Sequence, residues 1–174
     1  MEKNILKITD LKDMLNKTRE LYGERPGYKI KLGEGKYITY THNEIRDMID
    51  YLGTALISLG LKGKRIAVIG ENRYEWELAY LSVVCGTGIV VPLDRSLPPN
   101  ELEELIERSE VEAIFYSKKY EEVIKLIRYS DKNKLKHLIS MDTDVHDEGI
   151  YSEKELIEKG KELYDAGNRE FIDA

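Results

Sequence analysis

From residue 65 onward the chain alternates short, almost wholly apolar runs with stretches whose apolar residues recur every three or four positions. The runs are Ile66–Ile69, Ile89–Leu93, Val111–Tyr116 and Leu135–Met141. Between them lie helical patterns: Trp76, Ala79, Tyr80, Val83 and Val84, opened by Asn72 with Glu75 and closed by Gly86; then Leu102, Leu105 and Ile106 behind Pro98 and Pro99; then Val123, Ile124 and Ile127. A last helix opens at Ser152 with Glu155 three residues on, the reciprocal capping pattern that satisfies free amides in a first helical turn. Apolar runs rich in β-branched residues that alternate with amphipathic helices predict a parallel sheet covered on both faces.

The first 64 residues follow a different pattern. Leu11, Met14, Leu15, Thr18, Leu21 and Tyr22 predict an amphipathic helix that Pro26 and Gly27 bring to an end. "YKIKLGEGKYITYT" alternates on either side of Gly33 and Gly35, which predicts a β-hairpin. Thr41 and Glu44 then form a capping box for a helix bearing Ile45, Met48, Ile49, Leu52, Leu56 and Leu59 on one face, stopped at Gly60. The expected architecture is therefore α/β: a mostly parallel sheet of about four strands with helices on both faces, plus an N-terminal helix and hairpin. It is read as one domain over 1–174, with helix, hairpin and helix in 1–64 and repeated strand–helix units in 65–165.

Composition narrows the class. The 41% apolar and 34% charged content, with a net charge of -6 and no basic stripe, speaks against a nucleic-acid-coating protein. The longest apolar stretch, Leu81 to Leu93, is broken by Gly86, Gly88 and Pro92, and its length falls short of the roughly 20 residues a bilayer requires. One cysteine, Cys85, excludes an internal disulfide and fits a reducing cytoplasm, with or without peripheral contact to a membrane. Its place on an apolar helical face makes it a packing residue.

The motifs that most often carry chemistry fail on spacing. The turn after the first apolar run reads "GENRYE", with one glycine where a dinucleotide fingerprint needs three for the backbone to approach a pyrophosphate. "GLKGKR" precedes a strand and lacks the hydroxyl residue of a phosphate loop, so it reads as a surface turn. "DTDVHDEG" spaces Asp142, Asp144 and His146 like part of a calcium loop, with Glu153 further on, but Asp147 stands where the sharp turn requires glycine. His42, His137 and His146 lack zinc spacing, no serine-nucleophile elbow occurs, and Glu101, Glu103, Glu104 and Glu107 spread over a helix surface. Trp76 is assigned to the core, whereas Tyr74 stays open to a stacking role.

Five pieces recur together: "YITYT" at 37–41, "GLKG" at 60–63, "ENRYEW" at 71–76, "GIVVPL" at 88–93 and "PNELEEL" at 99–105. In this order the stretch Tyr37–Tyr116 resembles the beginning of the adenylate-forming acyl-CoA synthetases, the long-chain fatty acid CoA ligases in particular. The resemblance implies joining of a carboxylate to AMP from ATP, then transfer of the acyl group to CoA, with ATP, magnesium and CoA as ligands of the full-length enzyme. It also implies that the loop after the Val-Pro strand lies towards the CoA side, which makes Leu93, Asp94 and Arg95 the candidate cofactor-binding residues. The family's Ser/Thr/Gly-rich phosphate loop and its later adenine, ribose and lysine motifs do not occur in these residues. The chain is accordingly expected to be an opening segment, inactive alone, whose partner is the remaining polypeptide, with an unpaired sheet edge that invites self-association. Two other readings stay open: a segment of an aryl-CoA ligase or peptide-synthetase adenylation domain, and a noncatalytic α/β module that binds a nucleotide or a protein.

Overall fold

The structure is a computed structural model that describes residues 7–142 and 149–174. It divides into two units, 1–47 and 48–174. The first holds helix α1 (Leu11–Tyr22), strands β1 (Pro26–Gly33) and β2 (Lys36–Thr41), and the start of helix α2 (His42–Ser58). Asp10 caps α1 by accepting from the Asp13 amide at 2.8 Å. The hairpin turns at Gly35, whose φ of 68° lies in the left-handed region glycine tolerates best. The capping box forms as expected: the Thr41 amide donates to Glu44 Oε2 at 2.7 Å and the Glu44 amide donates to Thr41 Oγ1 at 3.2 Å. Neither hairpin strand has a buried residue.

The second unit is the sheet. Strands β3 (Arg65–Ile69), β4 (Ile89–Pro92), β5 (Ala113–Tyr116), β6 (His137–Ser140) and β7 (Ile150–Ser152) lie in the order β4-β3-β5-β6-β7, every neighbouring pair parallel. The first four match the four apolar runs. The fifth, β7, extends the expected sheet; its three residues are too few to show a pattern of their own, and it is ordered by hydrogen bonding to β6. Helices α3 (Tyr74–Ser82), α4 (Pro99–Ser109), α5 (Glu121–Arg128) and α6 (Glu153–Asp165) complete the unit. Ala67, Ile69, Ile114, Tyr116 and Leu138 face α4 and α5, where they meet Leu102, Ile106, Ile124 and Ile127. The alternate residues Ile66, Val68, Phe115 and Ile139 are equally buried, so both faces of these strands are apolar.

Two details of α3 depart from the sequence reading. Its N-cap is Arg73, not Asn72, and no side chain caps it: a guanidinium offers only donors, and this one is engaged with the Glu75 carboxylate. Gly86 does not end the helix cleanly: a wide π turn, Val83–Thr87, carries the chain on to Gly88. Leu78, Ala79, Leu81, Ser82 and Val83 are buried, whereas Trp76 is only half-buried and stacks on Tyr80 at 5.5 Å. Cys85 is buried, in keeping with a packing role.

The second helical layer is close-fitting. Ser82 Oγ donates to the Ile49 carbonyl at 3.3 Å, linking α3 to α2. Gly160 of α6 lies directly over the Tyr51 carbonyl of α2, and Phe171, fully buried, lies over Gly53. A methyl group at 160 would overlap main chain, which cannot rotate away. Gly160→Ala is expected to cost about 1–3 kcal/mol, read as a lower urea midpoint. At Gly70 an added methyl would meet Ser117 Cβ at 3.4 Å and Met141 Sδ at 3.5 Å. Those are ordinary contacts, so Gly70→Ala should fold with an unchanged midpoint.

Candidate functional site at the carboxyl ends of the strands

A parallel sheet gathers its strand-to-helix turns at one end, and the place where the strand order reverses leaves a crevice there. Here the chain passes from β3 to β4 on one side and then to β5, β6 and β7 on the other, so the switch lies beside β3. Ile69, Tyr116, Ser140 and Ser152 form the last register row across β3, β5, β6 and β7. The residues that follow them are Gly70, Ser117, Met141 and Glu153, and beyond those Glu71, Lys118 and Asp142.

Arg73 organises this end. Its Nε and Nη2 donate to the two carboxylate oxygens of Glu75 at 2.6 and 2.7 Å, a bidentate pair, and its Nη1 donates to Asp142 Oδ1. The second Asp142 oxygen accepts from the Lys118 amide at 2.7 Å. One guanidinium thus ties α3 to the segments after β6 and, through Asp142, β5. Hydrogen bonding to Glu75 raises the Arg73 pKa above its ordinary value, burial opposes this, and Asp142 adds to it. Burial alone would raise the Asp142 carboxyl, but Arg73 and the Lys118 amide outweigh it and leave it below the usual range. Glu153, 2% exposed, is raised well above the usual carboxylate range, by burial first and then by Glu75, with Arg73 opposing and Asp142 adding. Glu71 is lowered by the neighbouring Ser117 hydroxyl and by its own backbone amide.

These residues do not fit a magnesium triphosphate. Glu71, Glu75 and Asp142 share these turns with the exposed Lys118 and Lys119, the Arg73 cation is already taken by two of the carboxylates, and "GENR" supplies no succession of glycine amides. Among the described residues no group of three His, Cys, Asp or Glu side chains could hold a metal ion. Asp144 and His146 of the calcium-like stretch lie outside the described residues, and Asp142 there is bound to Arg73.

Leu93, Asp94 and Arg95 lie at the same end, after β4. The Leu93 amide donates to the Val68 carbonyl at 3.0 Å, and the half-buried Leu93 side chain packs against the core. Asp94 is turned inward on its own loop: Oδ1 accepts from the Ser96 amide at 2.8 Å and from the Ser96 hydroxyl at 2.7 Å, which holds its carboxyl below the usual range. The Arg95 carbonyl accepts from Tyr120 Oη at 2.9 Å, while the Arg95 residue is exposed. Backbone is pinned at both ends of this loop, and Arg95 is left to solvent. Sequence reasoning missed Arg73, Asp142 and Glu153 as a group, since Arg73 and Asp142 are 69 positions apart.

At the opposite end of the sheet a cleft of about 280 Å³ is bordered by Lys64, Arg65, Glu110, Glu112 and Lys134. Its charges are mutually paired: Lys64 with Glu112 at 2.8 Å, Arg65 with Glu110 at 3.1 Å, and Lys134 with Glu110 at 2.7 Å. Exposed pairs of this kind are worth about 0–1 kcal/mol each, and they stitch the strand starts together.

With this geometry in view, comparison with known proteins is decisive for the family. The profile of the AMP-binding enzyme family matches residues 19–170. The chain belongs to that family. It is 34% identical over 85 residues to fatty acyl-CoA synthetase A of Dictyostelium discoideum, covering 48% of this chain and 12% of that protein. It is 32% identical over 86 residues to long chain acyl-CoA synthetase 4 of Arabidopsis thaliana, covering 49% and 13%. The matches thus span about an eighth of those relatives' lengths. Among solved structures, the adenylation domain of a carboxylate reductase from Mycobacterium chelonae superposes with a TM-score of 0.73 at 16% identity, over 92% of this chain and 30% of that one. A benzoate CoA ligase from Burkholderia xenovorans gives 0.70 at 17%, over 87% and 28%. At such identities the likeness shows the fold alone.

Removal of the Arg73 charge leaves Glu75 and Asp142 facing each other partly desolvated. Arg73→Met is expected to cost about 2–4 kcal/mol near neutral pH. Because the folded Asp142 carboxyl lies below its unfolded value, its share of that stability is present above the unfolded value and is lost as pH falls through the folded one. The difference between Arg73→Met and the parent should therefore shrink on acidification, in urea titrations run at a series of pH values.

Proposed function

We propose that this chain is a scaffold segment of an adenylate-forming fatty acyl-CoA ligase. The enzyme joins a carboxylate to AMP from ATP with release of pyrophosphate, then passes the acyl group to the thiol of CoA. The family match over residues 19–170 carries the reading. The curated relatives at 32–34% identity, which are named as fatty and long-chain acyl-CoA synthetases, favour fatty over aromatic acids. In this reading ATP and magnesium are gripped by parts of the enzyme other than the described residues, in keeping with a turn after β3 that lacks the glycine amides of a phosphate loop. Transition-state stabilisation in phosphoryl chemistry comes from donors aimed at the transferring oxygens, and the one guanidinium in the crevice is engaged by carboxylates. The chain would supply the sheet on which those donors are mounted. Leu93, Asp94 and Arg95 would face the nucleotide end of CoA, the first two setting the loop and Arg95 offering its charge to a phosphate.

The test is a graft. The chain replaces the matching segment of a long-chain acyl-CoA synthetase, and acyl-CoA formation from a fatty acid, ATP and CoA is measured beside pyrophosphate exchange by the isolated chain. Activity in the graft and none in the isolated chain is expected; acyl-AMP formation by the isolated chain would overturn the scaffold reading. In the active graft, Arg95→Ala should raise the KM for CoA about three- to tenfold, the scale of one exposed charge contact, with kcat unchanged. An unchanged KM removes Arg95 from the CoA contact.

A further inference from the structure

Glu153 takes no part in the ion pairs around Arg73. It is nonetheless 2% exposed, and neither carboxyl oxygen meets a hydrogen-bond donor among the described residues. A charge buried in this way loses its hydration with nothing in return, so the group is driven to keep its proton. The charged groups that face it are Arg73 and Glu75 from the start of α3 and Asp142 from beyond β6. On its own helix, Glu155 lies in the first turn and Lys154 is exposed. Lys118, after β5, donates its amide to Asp142 and adds its charge on the exposed side of that carboxylate. Arg73, Glu75 and Asp142 together carry one net negative charge, because a single cation serves two carboxylates. A neutral Glu153 leaves that sum alone; an ionised one doubles the negative charge around a side chain that is itself almost fully buried.

Its place in the chain makes the proton consequential. Glu153 is the first residue of α6 and directly follows β7, the edge strand. Ser152, one residue before, pairs with Ser140 of β6 and caps α6 by accepting from the Glu155 amide. A charge at 153 therefore acts at the seam between α6 and the sheet. The helix N-terminus favours an anion, but a single helix end offers far less than the hydration that burial removes.

We propose that Glu153 and the Arg73 crossing form a proton-operated latch: while Glu153 is neutral the first turn of α6 is seated on the carboxyl ends of β6 and β7, and loss of the proton drives that turn into solvent. The sign follows from linkage. The folded chain keeps a proton that the unfolded chain gives up in the ordinary carboxylate range, so stability falls as pH rises from that range through the folded value and is constant above it. Glutamine has the same shape and no proton to lose.

The test compares the 174-residue chain with Glu153→Gln in urea titrations from about pH 5 to about pH 8, with amide hydrogen exchange followed in the first turn of α6. The parent should weaken with rising pH relative to the variant until its unfolding constant exceeds the variant's by about tenfold or more, the scale of an unpaired buried charge. Exchange in that turn should accelerate beyond its intrinsic pH dependence in the parent alone. A second readout needs no variant: the Glu153 side-chain carboxyl carbon, followed by NMR in the parent, should titrate above every other glutamate. Parallel pH profiles for parent and variant, or a Glu153 carbon that titrates in the ordinary range, would overturn the latch.

Discussion

A parallel sheet with two apolar faces permits polar groups only at its ends, and that constraint shapes the rest of the second unit. Ile66 to Ile69 and Ala113 to Tyr116 have essentially no exposed surface on either side. Helices must cover both faces, and every connection that carries charge is pushed to one rim or the other. The two rims meet that requirement differently. At the strand starts, Lys64, Arg65, Lys134 and Glu110 lie in the open and pair with one another and with the half-buried Glu112, where water screens them. At the strand ends a single guanidinium is shared between carboxylates from distant parts of the chain, one step further from solvent.

The chemical character of the carboxyl-end rim follows from that sharing. In an α/β sheet this is the ordinary place for a ligand, and the strand order places a switch point beside β3. The side chains there nonetheless make up a structural joint. Arg73 is engaged by two carboxylates, Asp142 has both oxygens engaged, and Glu153 is buried beside them. An AMP-binding enzyme needs donors aimed at phosphates, and the Arg73 donors of this rim are turned inward. The β4–α4 loop differs: Tyr120 and Ser96 fix its backbone and its carboxylate, and the Arg95 charge faces solvent.

Local chemistry was readable from the residues, and long-range chemistry was not. Thr41 with Glu44, Ser152 with Glu155, and Pro98 with Pro99 are helix starts whose partners lie within one turn, and each starts a helix as its pattern suggests. Asn72 with Glu75 shows the same local pattern and fails, because Arg73 competes for the Glu75 carboxylate and wins with two bonds. β7 gave no signal: three residues, one of them serine, become a strand only beside β6. Glu153 looks like an ordinary acid in a first helical turn, and only the packing of α3 and β6 around it reveals its burial. Leu93, Asp94 and Arg95 came from resemblance, and the structure adds what resemblance lacks, namely that the Asp94 carboxylate is bound to Ser96 within the loop while Arg95 is exposed.

The all-parallel pairing also bears on how the sheet is assembled. No strand of it can zip to a neighbour through a tight turn; β3 waits for β4, whose partners lie 24 residues on, and for β5, whose partners lie 47 residues on, with a helix formed between. Loops of that length must close before any ladder bond repays them, which places this unit among slow-assembling topologies of high contact order. During synthesis β3 would acquire β4 first and hold its other side open until β5 leaves the ribosome. For that interval a strand with four buried apolar residues in a row is a bare edge, and the nascent unit is then most in need of a chaperone.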